Sequence, residues 1–268
     1  MQEAYQTDWH PEELSHGIPS TPDTALVFSA WDRLVRLSAS AGQPGRVLDV
    51  ACGDGRDILS LSGLGWEEWG LDASHLQLRD ARKAAEEAGQ RINLVRGVAE
   101  RLPFKQGVFD SLICKSALYH FADPEEAVRG FALVLRPKGR AVVSVVQFSS
   151  LSSRSSRLLY WVARAVWPPA RRKRFFWDNP VPFQQTYVYS VDSCRALGEP
   201  YFSKVDCYGV SLLWGFPGWG RFLSFLPNVI SKIVLRVLDK LARRLPRLAD
   251  VVVFVWQPKE SEGQVSAD

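Results

Sequence analysis

A chain of 268 residues, 46% hydrophobic and 23% charged, is long enough for one large α/β domain and has the composition of an ordinary folded core. The four cysteines (Cys52, Cys114, Cys194 and Cys207) form no C-x-x-C pair, and Met1–Pro11 is polar without an apolar run. These features argue against a disulfide framework, a metal site or a secretory leader, and for a cytoplasmic setting. The net charge of +4 divides unevenly: residues 1–150 hold 16 Lys/Arg against 20 Asp/Glu, residues 151–268 hold 17 against 9. The second half is therefore the part expected to meet something anionic, unless its basic groups are only a solvated face.

In chain order, the first clear element is a short apolar strand, Arg46 to Val50, which follows Gly45 and carries an acid, Asp49. Ala51, Cys52, Gly53, Asp54 and Gly55 turn directly into a helical pattern with Asp57, Ile58, Leu59 and Leu61. A strand that turns on glycines into a helix lets a ligand approach bare backbone, as nucleotide-type sites do. A dinucleotide fits badly. The position of the third glycine in G-x-G-x-x-G is Ile58, and an acid stands four residues before Gly53. A carboxylate there repels a pyrophosphate but can receive a cationic amino-acid moiety.

A second strand ends at Trp69-Gly70-Leu71-Asp72-Ala73-Ser74, and Asp72 lies 17 residues after Gly55. That is the spacing at which an acid meets ribose hydroxyls in Rossmann-like sheets. The apolar run Ile92 to Val95 leads into Gly97-Val98-Ala99-Glu100-Arg101-Leu102-Pro103-Phe104. A fourth strand follows at Val108 to Cys114, continued by Lys115-Ser116-Ala117-Leu118-Tyr119-His120-Phe121. Asp123 and Pro124 read as the N-cap and first turn of a helix that Leu135 to Gly139 ends, and Arg140 to Val146 as a fifth strand.

These four stretches, in this order, resemble the motifs of the class I S-adenosylmethionine-dependent methyltransferases of the small-molecule and quinone-biosynthesis type. The likeness is tight over residues 23–147 and thins beyond. It implies an α/β, Rossmann-like fold: a seven-stranded, mostly parallel sheet with an antiparallel last strand and helices on both faces. It also implies S-adenosylmethionine as cofactor. The implied cofactor-binding positions are Asp49, Ala51, Gly53, Asp54, Gly55, Asp72, Ala73, Val98, Ala99, Glu100, Cys114 and Lys115. Val98 stands where the family more often has an Asp that accepts from the adenine amino group, so that contact moves to Glu100 or to backbone. Lys115 is implied to offer its backbone carbonyl while its side chain points elsewhere. Tyr119 replaces the first His of an L-H-H continuation, leaving His120 and Tyr119 as catalytic candidates at the carboxyl end of the fourth strand. The competing reading of His120 is a structural histidine near the cofactor. His75 reads as a surface or capping residue and Cys52 as a small turn residue.

The organisation expected is a single domain over 1–268. Residues 1–40, with Tyr5, Trp9, His10 and His16 in their first part, form a lid and helix, and 41–147 form the cofactor core. Substrate-side insertions at 148–188 and 208–248 follow, with a last strand at 249–257 and a disordered tail at 258–268. Between the insertions, Ser190 caps a helix and Phe202 to Cys207 form a sixth strand. The first insertion sets Tyr160, Trp161 and Trp167 beside Arg171-Arg172-Lys173-Arg174, which reads first as a helical lid, next as an interfacial segment and last as an RNA-binding surface. In the second, a Gly- and aromatic-rich loop from Tyr208 to Gly220 precedes a long amphipathic helix with Lys232, Arg236, Lys240 and Arg243 on its polar side. The function expected is methyl transfer to a small apolar, aromatic or lipid-like acceptor, with peripheral contact to anionic membrane through 157–177 and 221–247. A tRNA-base methyltransferase and a non-catalytic, membrane-associated cofactor binder are the alternatives. Nucleic acid is the weaker partner because no RNA-binding module is visible, and oligomeric state is left open.

Overall fold

The computed structural model describes residues 22–61, 63–166 and 187–259. A seven-stranded sheet runs through it in the order β3-β2-β1-β4-β5-β7-β6. Its strands are β1 (Arg46–Val50), β2 (Glu67–Asp72), β3 (Asn93–Arg96), β4 (Phe109–Lys115), β5 (Leu135–Val146), β6 (Phe202–Val210) and β7 (Val251–Pro258). β1 to β5 pair in parallel, and β7 lies antiparallel between β5 and β6. This is the sheet the sequence predicts.

The helices are α1 (Pro22–Ala39), α2 (Arg56–Leu59), α3 (His75–Glu87), α4 (Pro124–Val134), α5 (Leu151–Val166), α6 (Val191–Gly198), α7 (Trp219–Ser224) and α8 (Asn228–Arg244). Because side chains alternate along a strand, the sheet's two faces build two cores. Val47, Ile113, Val142, Val251 and Val253 pack against Val27, Trp31, Leu34 and Val35 of α1. Leu48, Val50, Leu112, Val143, Phe254 and Trp256 pack against Ala127, Val128 and Phe131 of α4 and Val191 and Cys194 of α6. The central strands β1, β4 and β7 and the second half of β5 are buried on both faces, which is why they read as mostly apolar runs, whereas the edge strands β3 and β6 are partly exposed.

Several boundaries differ from the expectation. β5 begins at Leu135, not Arg140, because Leu135 already pairs with Phe109 before a register shift. The left-handed Lys138 (φ 68°) then carries the chain through that irregularity. β6 continues to Val210, three residues into the expected loop, because all of Tyr208, Gly209 and Val210 pair with β7. β7 spans Val251–Pro258 in place of 249–257, since Phe202 pairs with Pro258, and Lys259 N–H donates to the Tyr201 carbonyl at 3.1 Å. Pro258 and Lys259 of the expected tail are thus paired, and residues 260–268 lie outside the described residues. So do Tyr5, Trp9, His10 and His16 of the expected lid and the basic cluster 171–174. Two expected caps form: the Asp123 side chain accepts from Glu126 N–H, and Ser190 and Ser193 make a reciprocal capping box.

Candidate cofactor and active site

The site is built at the carboxyl ends of β1, β2 and β4, where the loops of three adjacent strands meet. The glycine turn forms because its residues permit left-handed backbone: Gly53 has φ 53° and Gly55 φ 76°. Gly55 also has a steric reason, since a Cβ there would stand 3.0 Å from Ala81 Cβ of α3. Two non-glycine residues share this conformation at the ends of neighbouring strands, Ala51 after β1 (φ 59°) and Ser116 after β4 (φ 58°). Strain of this kind concentrates at ligand sites.

Asp72 closes β2 and pins the turn. Its Oδ2 accepts from Gly53 N–H at 2.9 Å and its Oδ1 from Ser74 N–H at 2.8 Å. Ser74 in turn caps α3 by accepting from Gln77 N–H, so His75 is the first helical residue and the serine is the cap. Burial pushes the Asp72 carboxyl up, against these hydrogen bonds. Asp49 lies one strand over and is 2% exposed. Its Oδ2 is buried without a hydrogen-bond partner. Burial drives its carboxyl well above the usual range; the charges of Asp57, Asp72 and Asp54 add to the shift, and Lys115 opposes it. An orphaned carboxylate among carboxylates is a place where a cation would be stabilised.

The sequence expectation that the Lys115 side chain points elsewhere is refined by what it holds. Its ammonium sits between Asp32 of α1 and Asp57 of α2, at 2.5 and 2.9 Å, and 5.5 Å from the Trp31 ring. This ties the N-terminal helix to the glycine-turn helix, a link with no local sequence signal. Lys115→Met would leave Asp57, whose side chain is 21% exposed, without its cation. Asp32 is 41% exposed and screened, so the expected loss is about 1–2 kcal/mol, less than for a fully buried pair. Thermal unfolding should show it, and Asp57→Asn in the same background should restore part of it. An unchanged melting temperature would mean the bridge is energetically idle.

Val98 is half-buried and precedes the 3-10 turn Ala99–Arg101, whose Ala99 is buried. Glu100 is directed to structure as well: its Oε1 accepts from Ala122 N–H at 2.8 Å and Asp123 N–H at 3.4 Å, fixing the loop after β4. Asp54 accepts from Arg56, with Arg56 Nη2 at 3.1 Å. Ala73 offers its carbonyl to Arg96 Nε at 3.1 Å. Cys114 is fully buried and burial raises its thiol; Cys52 is raised in the same way, so neither is a ready nucleophile.

Tyr119 and His120 share the 3-10 turn Leu118–His120, their rings edge to face with centroids 4.5 Å apart. Tyr119 hydrogen-bonds Ser116 through its hydroxyl, and burial pushes its phenol up to about 12. Burial lowers the His120 imidazolium to about 4, so the ring is neutral at pH 7. Beyond the predicted residues, Gln147 organises the region at the end of β5. Its amide nitrogen donates to the carbonyls of Pro246, Arg247 and Ala249, and its Oε1 accepts from Val191 N–H. Asp250 joins the same region, accepting from Trp214 N–H at 2.8 Å and bonding Ser152 of α5.

Comparison with known proteins places this arrangement. The profile of the methyltransferase domain family matches residues 48–143. A demethylmenaquinone methyltransferase of Mycolicibacterium vanbaalenii is 31% identical over 168 residues, 62% of this chain and 67% of that one. An uncharacterised methyltransferase of Bacillus subtilis is 38% identical over 96 residues, 35% of this chain and 38% of its own length. The chain thus spans from just over a third to two thirds of these two relatives. Among solved structures, a methyltransferase of Thermotoga maritima, described as a possible histamine N-methyltransferase, superposes with a TM-score of 0.56. It shows 17% identity over 87% of this chain and 92% of that one, a likeness of fold. The chain belongs to the class I S-adenosylmethionine-dependent methyltransferases.

Proposed function

We propose that this class I methyltransferase binds S-adenosylmethionine at the ends of β1, β2 and β4 and methylates a small apolar acceptor, aromatic or lipid-like. The observation that carries the cofactor reading is the buried, partnerless Asp49 oxygen beside a glycine turn. The donor set suits the cofactor: Asp49 for its cationic amino-acid end, Asp72 for ribose hydroxyls, and the Val98–Glu100 loop near the base. When bound, S-adenosylmethionine supplies a methyl group on a positively charged sulfur. The acceptor class rests on the demethylmenaquinone methyltransferase relative and on the aromatic character of the second half.

The chain's own residues then have defined tasks. The turn and Asp72 hold one end of the site rigid, so reacting groups meet in a fixed orientation, which accounts for much of the rate in a displacement. The neutral His120 can accept a hydrogen bond from an acceptor hydroxyl, but with its imidazolium lowered to about 4 by burial it is a weak base here, and Tyr119 keeps its proton at pH 7 on its bond to Ser116. A carbon or amine acceptor would not need that base. The test is incubation of the protein and methyl-labelled S-adenosylmethionine with a cell extract. Label is expected in the organic-extractable fraction. Label in RNA, or no transfer to any fraction, would overturn the reading.

A further inference from the structure

Helix α8 is amphipathic in an unusual sense, because it has apolar side chains on its outer side as well as toward the core. Leu235 and Ala242 are buried, and Ala242 and Leu238 pack with Leu212 and Ala249. On the far side Val229, Ile230, Ile233, Val237 and Leu241 stand 43–69% exposed. Phe222 of α7 and Phe225 in the following turn extend the patch at 53% and 80% exposure. A continuous apolar row in water is costly and marks an interaction surface.

The charges beside it say what kind. Lys232, Arg236 and Lys240 each precede by one residue a member of the row Ile233, Val237, Leu241. At 100° and 1.5 Å per residue, a basic row therefore runs along the helix next to the apolar one, about 12 Å from Lys232 to Lys240. Residues 219–245 hold six basic side chains and one acid, and that acid, Asp239, is turned to Arg243 at 3.2 Å.

We propose that the α7–α8 face docks on an anionic bilayer, lying in the plane of the headgroups. Phe222, Phe225 and the apolar row enter the acyl boundary while Lys232, Arg236 and Lys240 meet lipid phosphates. Two copies of the chain meeting through this face would bring like charges together. A nucleic acid would engage the basic row and leave the apolar one in water. Among the described residues no helix is long and apolar enough to cross a membrane, so the contact is peripheral. α7 packs on α1, whose Asp32 holds Lys115 at the end of β4. The docked face thus flanks the helix that borders the site. This inference goes beyond the acceptor proposed above and does not rest on it, since labelled methyl transfer tests that reading separately.

The test is co-sedimentation of the full chain with phosphatidylcholine vesicles containing roughly a third phosphatidylglycerol, against phosphatidylcholine alone. Binding is expected to the anionic vesicles at low salt and to weaken markedly by about 0.5 M salt. Lys232→Ala/Arg236→Ala/Lys240→Ala should weaken partitioning about a hundredfold. Ile233→Ser/Val237→Ser should weaken it about tenfold or more. Both variants alter exposed residues, and unchanged circular dichroism would confirm that they fold. Absence of pelleting at low salt would overturn the proposal, as would wild-type partitioning by both folded variants. A tRNA gel shift that the triple variant loses, without any vesicle binding, would overturn it in favour of nucleic acid.

Discussion

Asp72→Ala should weaken S-adenosylmethionine binding at least about a hundredfold in calorimetric titration, to or below the limit of detection. Two losses combine. The side chain is the only group at the end of β2 that could accept from vicinal ribose hydroxyls with both oxygens, and hydrogen bonds to a charged acceptor are worth about 1.5–3 kcal/mol each. The same carboxylate holds Gly53 N–H and Ser74 N–H. Without it the glycine turn loses its tether and two backbone donors lose their acceptors, which should also lower the melting temperature. Asp72→Asn separates the two effects. Its single amide oxygen can keep one backbone bond, while its NH2 group faces the other N–H, so binding should fall by an intermediate factor of about ten with less loss of stability. Wild-type affinity in Asp72→Ala would remove the cofactor assignment.

The largest stability effect is expected at Trp256. The indole is fully buried between the sheet and α6, 5.2 Å from the Phe202 ring and 5.8 Å from Phe254 by centroids. Its Nε1 has no hydrogen-bond partner, so what it contributes is packing. Trp256→Ala should cost about 3–5 kcal/mol through lost burial and a residual cavity. For a chain of this size that is a fall of roughly 10 °C in melting temperature. Gly198 provides an internal check, because a Cβ there would come within 2.9 Å of the Trp256 ring. Gly198→Ala should destabilise the wild-type chain but be nearly neutral beside Trp256→Ala, where the methyl group enters the vacated space. Additive effects in that double-mutant cycle would mean that the two sites are not in contact.

The sequence alone was enough for every feature that near neighbours along the chain decide. Left-handed backbone needs glycine at Gly53 and Gly55, helix starts need oxygen acceptors at Asp123 and Ser190, and strands buried on two faces need apolar runs. The seven-stranded sheet with its antiparallel last strand was implied by the family resemblance that the glycine turn and Asp72 help to carry, while the order β3-β2-β1-β4-β5-β7-β6 is a finding of the structure. Even the amphipathic pattern of 228–244 was visible as a periodicity. What it could not show was which side of that helix the protein covers, because apolar residues point both inward and outward.

Tertiary structure decided the rest, and for one reason: those contacts join residues with no local relation. Lys115 meets Asp32 across 83 positions and Asp57 across 58, Gln147 binds carbonyls about a hundred residues away, and Glu100 turns to the loop at Ala122. The start of β5 at Leu135 likewise depends on Phe109 being there to pair with it. A charge, an amide or a short apolar run states a capacity to bond. Only chain closure brings the partner that uses it, and this is why the cofactor end of the molecule could be read from motifs while the cross-links that position it could not.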